Sequence, residues 1–273
     1  MNPITKQTVK TASKFVTIGL LIGLLIGAFI AYGQSPSSTF TISSGVYPGA
    51  PSYTVWNEGT EYFAKDANGL LAYSGTNASQ IIQNALNNGH GIFLLNGAYN
   101  LLNTISLNSQ NWLCGENREG TWLYGTCDPL IKVEGENYVG IEKMTLDGVS
   151  SSGNGITVTG TYLTDSNGML TIDTIKIVHC VVALRLSFLR ESTIRNVRIE
   201  SCGYGIYFAE DCINVFCSEL DIINLSSFGI YITSTDHQCE GLLFSNSLTF
   251  NCSGSLGITD GYVRSEEHTS ELQ

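Results

Sequence analysis

TIKIVHCVVALRLSFLRESTIRNVRIESCGYGIYFAEDCINVFCSELDIINLSSFGIYI, residues 174–232, repeats itself. The pairs Ile175/Ile177, Val197/Ile199 and Leu220/Ile222 each flank one outward residue, and the second and third pairs start 22 and 23 residues after the one before. Alternation with period two is the mark of a half-buried strand. Six or seven residues beyond each pair stands a small residue followed by an apolar one: Ala183-Leu184, Gly205-Ile206 and Gly229-Ile230. The pattern extends upstream to Met144/Leu146 with Gly155-Ile156, and downstream to Leu248/Phe250 with Gly257-Ile258. A looser third strand precedes each pair, around Ile141, Ile172, Ile194, Val215 and Leu243. Three short strands per turn of about 22 residues describe a parallel β-helix. A leucine-rich repeat would need its Leu/Asn consensus, and a propeller a blade of about 40 residues.

Stacked coils turn distant letters into vertical neighbours. Inward rows become columns of Ile, Val, Leu and Phe, and the glycines fall where a side chain would obstruct a corner. Two outward rows follow from the alignment: Thr145, Lys176, Arg198, Asp221 and Thr249, and Thr157, Arg185, Tyr207, Tyr231 and Thr259.

Residues 53–127 read as the closed end and first coil of this solenoid, and 128–263 as its further coils. Asn77-Ala-Ser-Gln80 is a capping-box variant that opens a short helix with Ile81, Ile82, Ala85 and Leu86 on one face, stopped by Asn87-Asn88-Gly89. Such a helix covers strand edges that otherwise invite pairing. The run continues through Gly97-Ala98-Tyr99 and Leu113-Cys114-Gly115-Glu116. From YFAKDANG to LCGE it resembles the N-terminal module of the pectate-lyase-like, right-handed β-helix superfamily, over roughly residues 53–263. The resemblance implies an all-β, right-handed parallel β-helix with a short N-terminal capping helix. It leaves activity open, because that superfamily includes lyases, hydrolases, tailspikes, adhesins and non-enzymes. Calcium is implied by analogy with pectate lyases alone.

At the N-terminus Lys6, Lys10 and Lys14 precede an uncharged run from Phe15 to Tyr32. Residues 1–33 therefore read as a signal peptide or a membrane anchor; Ala31-Tyr32-Gly33 fits cleavage, and eighteen apolar residues fit a span. Residues 34–52, rich in Ser, Thr, Pro and Gly, read as a flexible tether. Residues 264–273 (RSEEHTSELQ) share nothing with the repeat and resemble the translation of a sequencing adapter, so they are kept out of the fold argument. Export of the body, secreted or anchored through the N-terminal helix, is the expectation. Between residues 34 and 263 there are 9 basic and 21 acidic side chains, a net charge of −12. A body this acidic repels phosphate backbones, which argues against a nucleic-acid partner.

Five of those nine bases, Lys176, Arg185, Arg190, Arg195 and Arg198, fall within 23 positions. A cationic strip beside Tyr207 and Tyr231 suits a uronic-acid polymer: guanidinium groups pair with carboxylates, and rings stack on sugars. Elimination from a uronate needs a base and a cation at the carboxylate, roles open to Lys176 or Arg198, with Asp147 as a candidate acid, base or ligand. Arg185, Arg195, Tyr207 and Tyr231 are the candidate substrate contacts. The competing reading is that Lys176 and the arginines pair with Asp173, Glu191 and Glu200, and that the tyrosines stack on each other. Gly89-His90-Gly91 reads as a turn and Glu210-Asp211 as a solvated loop.

The eight cysteines lack zinc spacing. Cys180, Cys202 and Cys252 occupy similar turn positions, so buried thiols and a Cys180–Cys202 bridge both fit. Asn224-Leu-Ser and Asn251-Cys-Ser match the glycosylation pattern. Two functions remain: a β-helix that binds extracellular polysaccharide, with or without cleaving it as a lyase or glycoside hydrolase, or a non-catalytic adhesin or envelope solenoid.

Overall fold

The computed structural model describes residues 50–150, 152–161, 166–233 and 239–259. The expected leader, nearly all of the tether and residues 264–273 lie outside these. Among the described residues no helix is long and apolar enough to cross a membrane.

The body opens with three antiparallel strands, β1 (Tyr53–Glu58), β2 (Glu61–Asp66) and β3 (Leu71–Gly75). Helix α1 (Ala78–Asn88) follows, and its N-cap Asn77 accepts the Gln80 backbone N–H at 3.3 Å. Ile81, Ile82, Ala85 and Leu86 are buried as their spacing demands. The helix packs on β1–β3 and on the first parallel strands, so it closes that end of the core.

From Gly91 onward the chain winds as a parallel β-solenoid with three faces per coil. The first column runs Ile92, Leu113, Ile141, Ile172, Ile194, Cys217, Phe244. The second runs Tyr99, Leu123, Leu146, Ile177, Ile199, Ile222, Thr249. The third runs Ile105, Ile131, Ile156, Leu184, Ile206, Ile230, Leu256. Seven members per column make seven coils, numbered here from the one that begins at Ile92. Ile177, Ile199 and Ile222 are each fully buried in one column, and burial of each such side chain is worth about 1.5–3 kcal/mol.

The two motifs of the N-terminal resemblance have physical reasons. The Tyr99 hydroxyl, wholly buried, donates to the carbonyl oxygens of Leu95 and Val55 at 2.7 and 3.1 Å, tying the first coil to β1. Burial pushes its pKa upward, with nearby Glu116 adding to the shift. A Cβ on Gly115 would lie 2.2 Å from the Lys143 carbonyl oxygen of the next coil. Glu116 accepts the Asn96 backbone N–H at 2.9 Å.

Three expectations need correction. The corners are mostly made by single non-glycine residues in the left-handed region: Lys143, Thr174, Asn196, Glu219 and Asn246 between the first and second faces, and His179, Ser201, Asn224 and Asn251 between the second and third. Each costs about 1–2 kcal/mol. The glycines of the repeat serve close approach instead; a Cβ on Gly205 would stand 2.2 Å from the Gly229 carbonyl oxygen. Second, Cys217 and Phe244, not Val215 and Leu243, continue the first column. Val215 is buried too, two positions earlier beside Ser192. Third, the seventh coil is out of the expected register. It pairs 27 residues on, so Thr249 meets Ile222 while Leu248 and Phe250 point outward, 53% and 66% exposed. A bulge between Leu225 and Phe228 shifts it again, so Gly257, not Thr259, lies under Tyr231. A one-residue offset sends every side chain to the opposite face.

Candidate functional site

On the second face the structure aligns Thr145, Lys176, Arg198 and Asp221 as expected. The row below Asp221 is Leu248. These charges neutralise one another. Lys176 Nζ lies 3.5 Å from Glu200, Arg198 Nε 3.5 Å from the same carboxylate, and Arg198 Nη1 3.3 Å from Asp221. Asp147 sits at the corner beyond this row, where it accepts the Val149 backbone N–H and lies 3.0 Å from His179 Nδ1.

The first face carries a separate cluster. Arg195 donates from Nε and Nη2 to one oxygen of Asp173, at 2.9 and 2.6 Å. Asp173 stacks on Glu142 of the coil before. Burial pushes the Glu142 carboxyl above the usual range and the Asp173 charge adds to this, while a hydrogen bond from Trp112 acts against it. Corner residue Asn196 separates Arg195 from Arg198.

Arg190 makes a third, independent pair. Its Nη2 lies 2.7 Å from Asp211, whose side chain is 4% exposed. The sequence reading placed Asp211 in a solvated loop. In the structure the corner turns this carboxylate under the coil above, where Arg190 compensates its lost hydration. The five clustered bases therefore spread over three faces and do not form one strip.

The third face is different in kind. Thr157, Arg185, Tyr207 and Tyr231 stack in that order. Tyr204 and Phe228 join the two tyrosines, giving ring-centroid separations of 5.2 Å for Tyr207–Tyr231, 5.4 Å for Phe228–Tyr231 and 5.6 Å for Tyr204–Tyr231. The guanidinium of Arg185 lies 5.2 Å from the Tyr207 ring centre, a cation–π distance. Beneath, a Cβ at Gly254 would be 2.3 Å from Phe228, and one at Gly257 would be 2.7 Å from Tyr231. The rings thus rest on bare backbone of the seventh coil. All four rings are half-buried and Arg185 is exposed, with no acidic partner among the described residues. Burial raises the Tyr207 phenol, Arg185 opposing, so at neutral pH it remains a neutral donor.

Sequence reasoning missed Tyr204 and Phe228. The signal was present in a repeated tetrad, Tyr204-Gly-Ile-Tyr207 and Phe228-Gly-Ile-Tyr231, one coil apart. Only its last letter falls in the alternating outward row.

Cys180 and Cys202 stand one above the other as free buried thiols, and the Cys180 backbone N–H points at Cys202 Sγ at 3.4 Å. His90 is exposed at the entry to the first coil, its carbonyl accepting the Trp112 N–H, as suits a turn. Among the described residues no three His, Cys, Asp or Glu side chains group to hold a metal ion.

No family model and no curated protein matches the chain. Solved structures do. The A-module of the mannuronan C-5 epimerase AlgE6 of Azotobacter vinelandii superposes with TM-score 0.59 at 15% identity, covering 66% of this chain and 54% of that one. The N-terminal fragment of gene product 12 of bacteriophage Phi29 gives TM-score 0.54 at 11% identity, covering 67% of this chain and 41% of that one. The chain thus spans about half or less of each of these two structures. At these identities the likeness is one of fold, and it identifies the architecture as a parallel β-solenoid.

Proposed function

We propose that the chain is an exported β-solenoid, wound right-handed as the family resemblance implies, that binds an acidic polysaccharide of uronate type on its third face. One observation carries this reading: Arg185, free of any acidic partner among the described residues, stands at the edge of four clustered rings. The apolar face of a sugar lies on such rings, and a guanidinium pairs with a carboxylate through two parallel hydrogen bonds. Mannuronan, named for the A-module of the epimerase, is a polymer of this class and supports the choice of ligand. The basic N-terminal segment supports export, with the body secreted or held at a membrane. The same ligand gives a lyase or hydrolase its substrate, with Lys176, Arg198 or Asp147 as the groups for the chemistry.

A specific observation favours a second reading, a non-catalytic adhesin or envelope solenoid. Lys176, Arg198, Arg195 and Asp147 all engage partners within the protein. The two readings are separated by titrating the chain with polymannuronate, polygalacturonate and a neutral glucan in a calorimeter. Parallel assays follow unsaturated product by ultraviolet absorbance and new reducing ends. Binding to the acidic polymers that weakens with salt supports the proposal, with product marking an enzyme and its absence an adhesin. No heat with any acidic polymer overturns it.

A further inference from the structure

Beside Cys180 and Cys202 a second pair of thiols meets across adjacent coils. Cys212 is fully buried and Cys239 is 1% exposed. The isolated bridge Ile213↔Glu240 and the Glu240 N–H to Cys212 carbonyl bond at 3.0 Å set Cys239 directly below Cys212. The Cys180 backbone N–H lies 3.4 Å from Cys202 Sγ. The first pair is in register as well, since Val178↔Glu200 and Val182↔Tyr204 bracket it. Rungs stack at about 4.8 Å, inside the Cα range that a disulfide spans.

We propose that Cys180–Cys202 and Cys212–Cys239 become inter-coil disulfides in an oxidising compartment, the first stapling the fourth coil to the fifth and the second stapling the fifth to the sixth. These three coils carry Arg185, Tyr204 with Tyr207, and Phe228 with Tyr231, so the staples hold the rows of the aromatic surface at fixed height. The inference rests on coil register and stands whatever that surface binds. In each link two thiols lose two protons and two electrons. One thiolate attacks a disulfide of an external thiol–disulfide carrier, such as oxidised glutathione, and expels its thiol. The second cysteine then displaces the other half of the carrier. Cys180, Cys202, Cys212 and Cys239 are each 3% exposed or less, so the links form while the coils dock and are afterwards shielded from soluble reductant. Cys217 is an internal contrast: its neighbours in the stack are Ile194 and Phe244.

The test refolds the full chain in a glutathione redox buffer, alkylates free thiols in denaturant, and digests with trypsin and a glutamate-specific protease. Cys180 then lies on Ile177–Arg185, Cys202 on Ser201–Glu210 and Cys239 on Leu220–Glu240. Cys212 shares Asp211–Glu219 with Cys217, so the digest is repeated with Cys217→Ser. The expected masses show two linked peptide pairs, each short of two hydrogens per link, and alkyl groups on the other four cysteines. Eight alkylated cysteines, or links between other partners, overturn the proposal. A second measurement uses Cys212→Ala/Cys239→Ala: the Cys180–Cys202 link persists, and the melting temperature falls further below that of the parent in oxidised than in reduced protein. An equal fall in both states means that the pair only packs, which also overturns it.

Discussion

The second and third faces are built on the same coils, four to six, yet they handle charge in opposite ways. On the second face Lys176 and Arg198 are matched by Glu200 and Asp221, and the charges consume one another. On the third, Arg185 lies over Tyr207, whose ring takes one side of the guanidinium and leaves its donor edge to solvent. In the sequence the two rows look alike, each a basic residue at an outward strand position. What separates them is the neighbour one coil away, at about 4.8 Å. A carboxylate there retires the cation; an aromatic ring keeps it available.

Burial sharpens this contrast most. Arg190→Ala strands Asp211, whose side chain is 4% exposed, and should cost about 3 kcal/mol in urea unfolding. Lys176→Ala, whose partner Glu200 keeps 28% of its side chain exposed, should cost no more than about 1 kcal/mol; equal losses would mean that the two pairs are not different in kind. Next in size is binding. Tyr207→Ala or Tyr231→Ala should weaken affinity for an acidic polymer about tenfold, the equivalent of about 1.4 kcal/mol. Arg198→Ala should leave that affinity within about twofold, and a reversed order would move the site to the second face.

A smaller effect concerns the first face. The Glu142 pKa is raised by burial and by the Asp173 charge, so the folded state holds its proton more tightly than the unfolded chain does. Stability from this group is present below the unfolded carboxylate pKa and is lost as pH rises through the folded value. Glu142→Gln should therefore raise the melting temperature at pH 7 by about 1–3 °C, and the gain should vanish below about pH 4. A gain independent of pH would assign the effect to packing instead. The smallest change is the salt response of Arg198→Ala, whose stability should match the parent in 1 M salt, where exposed pairs are screened.

Much of the fold was legible because inward columns of a solenoid are a repeat of aliphatic letters, and Ile177, Ile199 and Ile222 declare themselves. The first two coils were harder to read as repeats: Tyr99 and Leu123 stand 24 residues apart in one column, but the first is an aromatic ring and not an aliphatic letter. The register of the seventh coil was hidden for another reason. Leu248 and Phe250 look like an inward pair, and only hydrogen bonding to Asp221 and Ile223 reveals that they face out. At the candidate site, Tyr207 and Tyr231 followed from alternation. Tyr204 and Phe228 did not, because their contribution comes from rings leaning along the surface rather than from strand parity. Cys239 stayed hidden because its distance from Cys212 is 27, away from the 22 that aligned Cys180 with Cys202.

Gly254 and Gly257 give the aromatic surface a property that its rings alone do not have. Their missing side chains let Phe228 and Tyr231 settle against the main chain below, so one methyl group added there would act as a shim, tipping the rings without touching them chemically. Under the proposed function, the grip on a flat ligand is tunable from underneath, by residues that never meet the ligand.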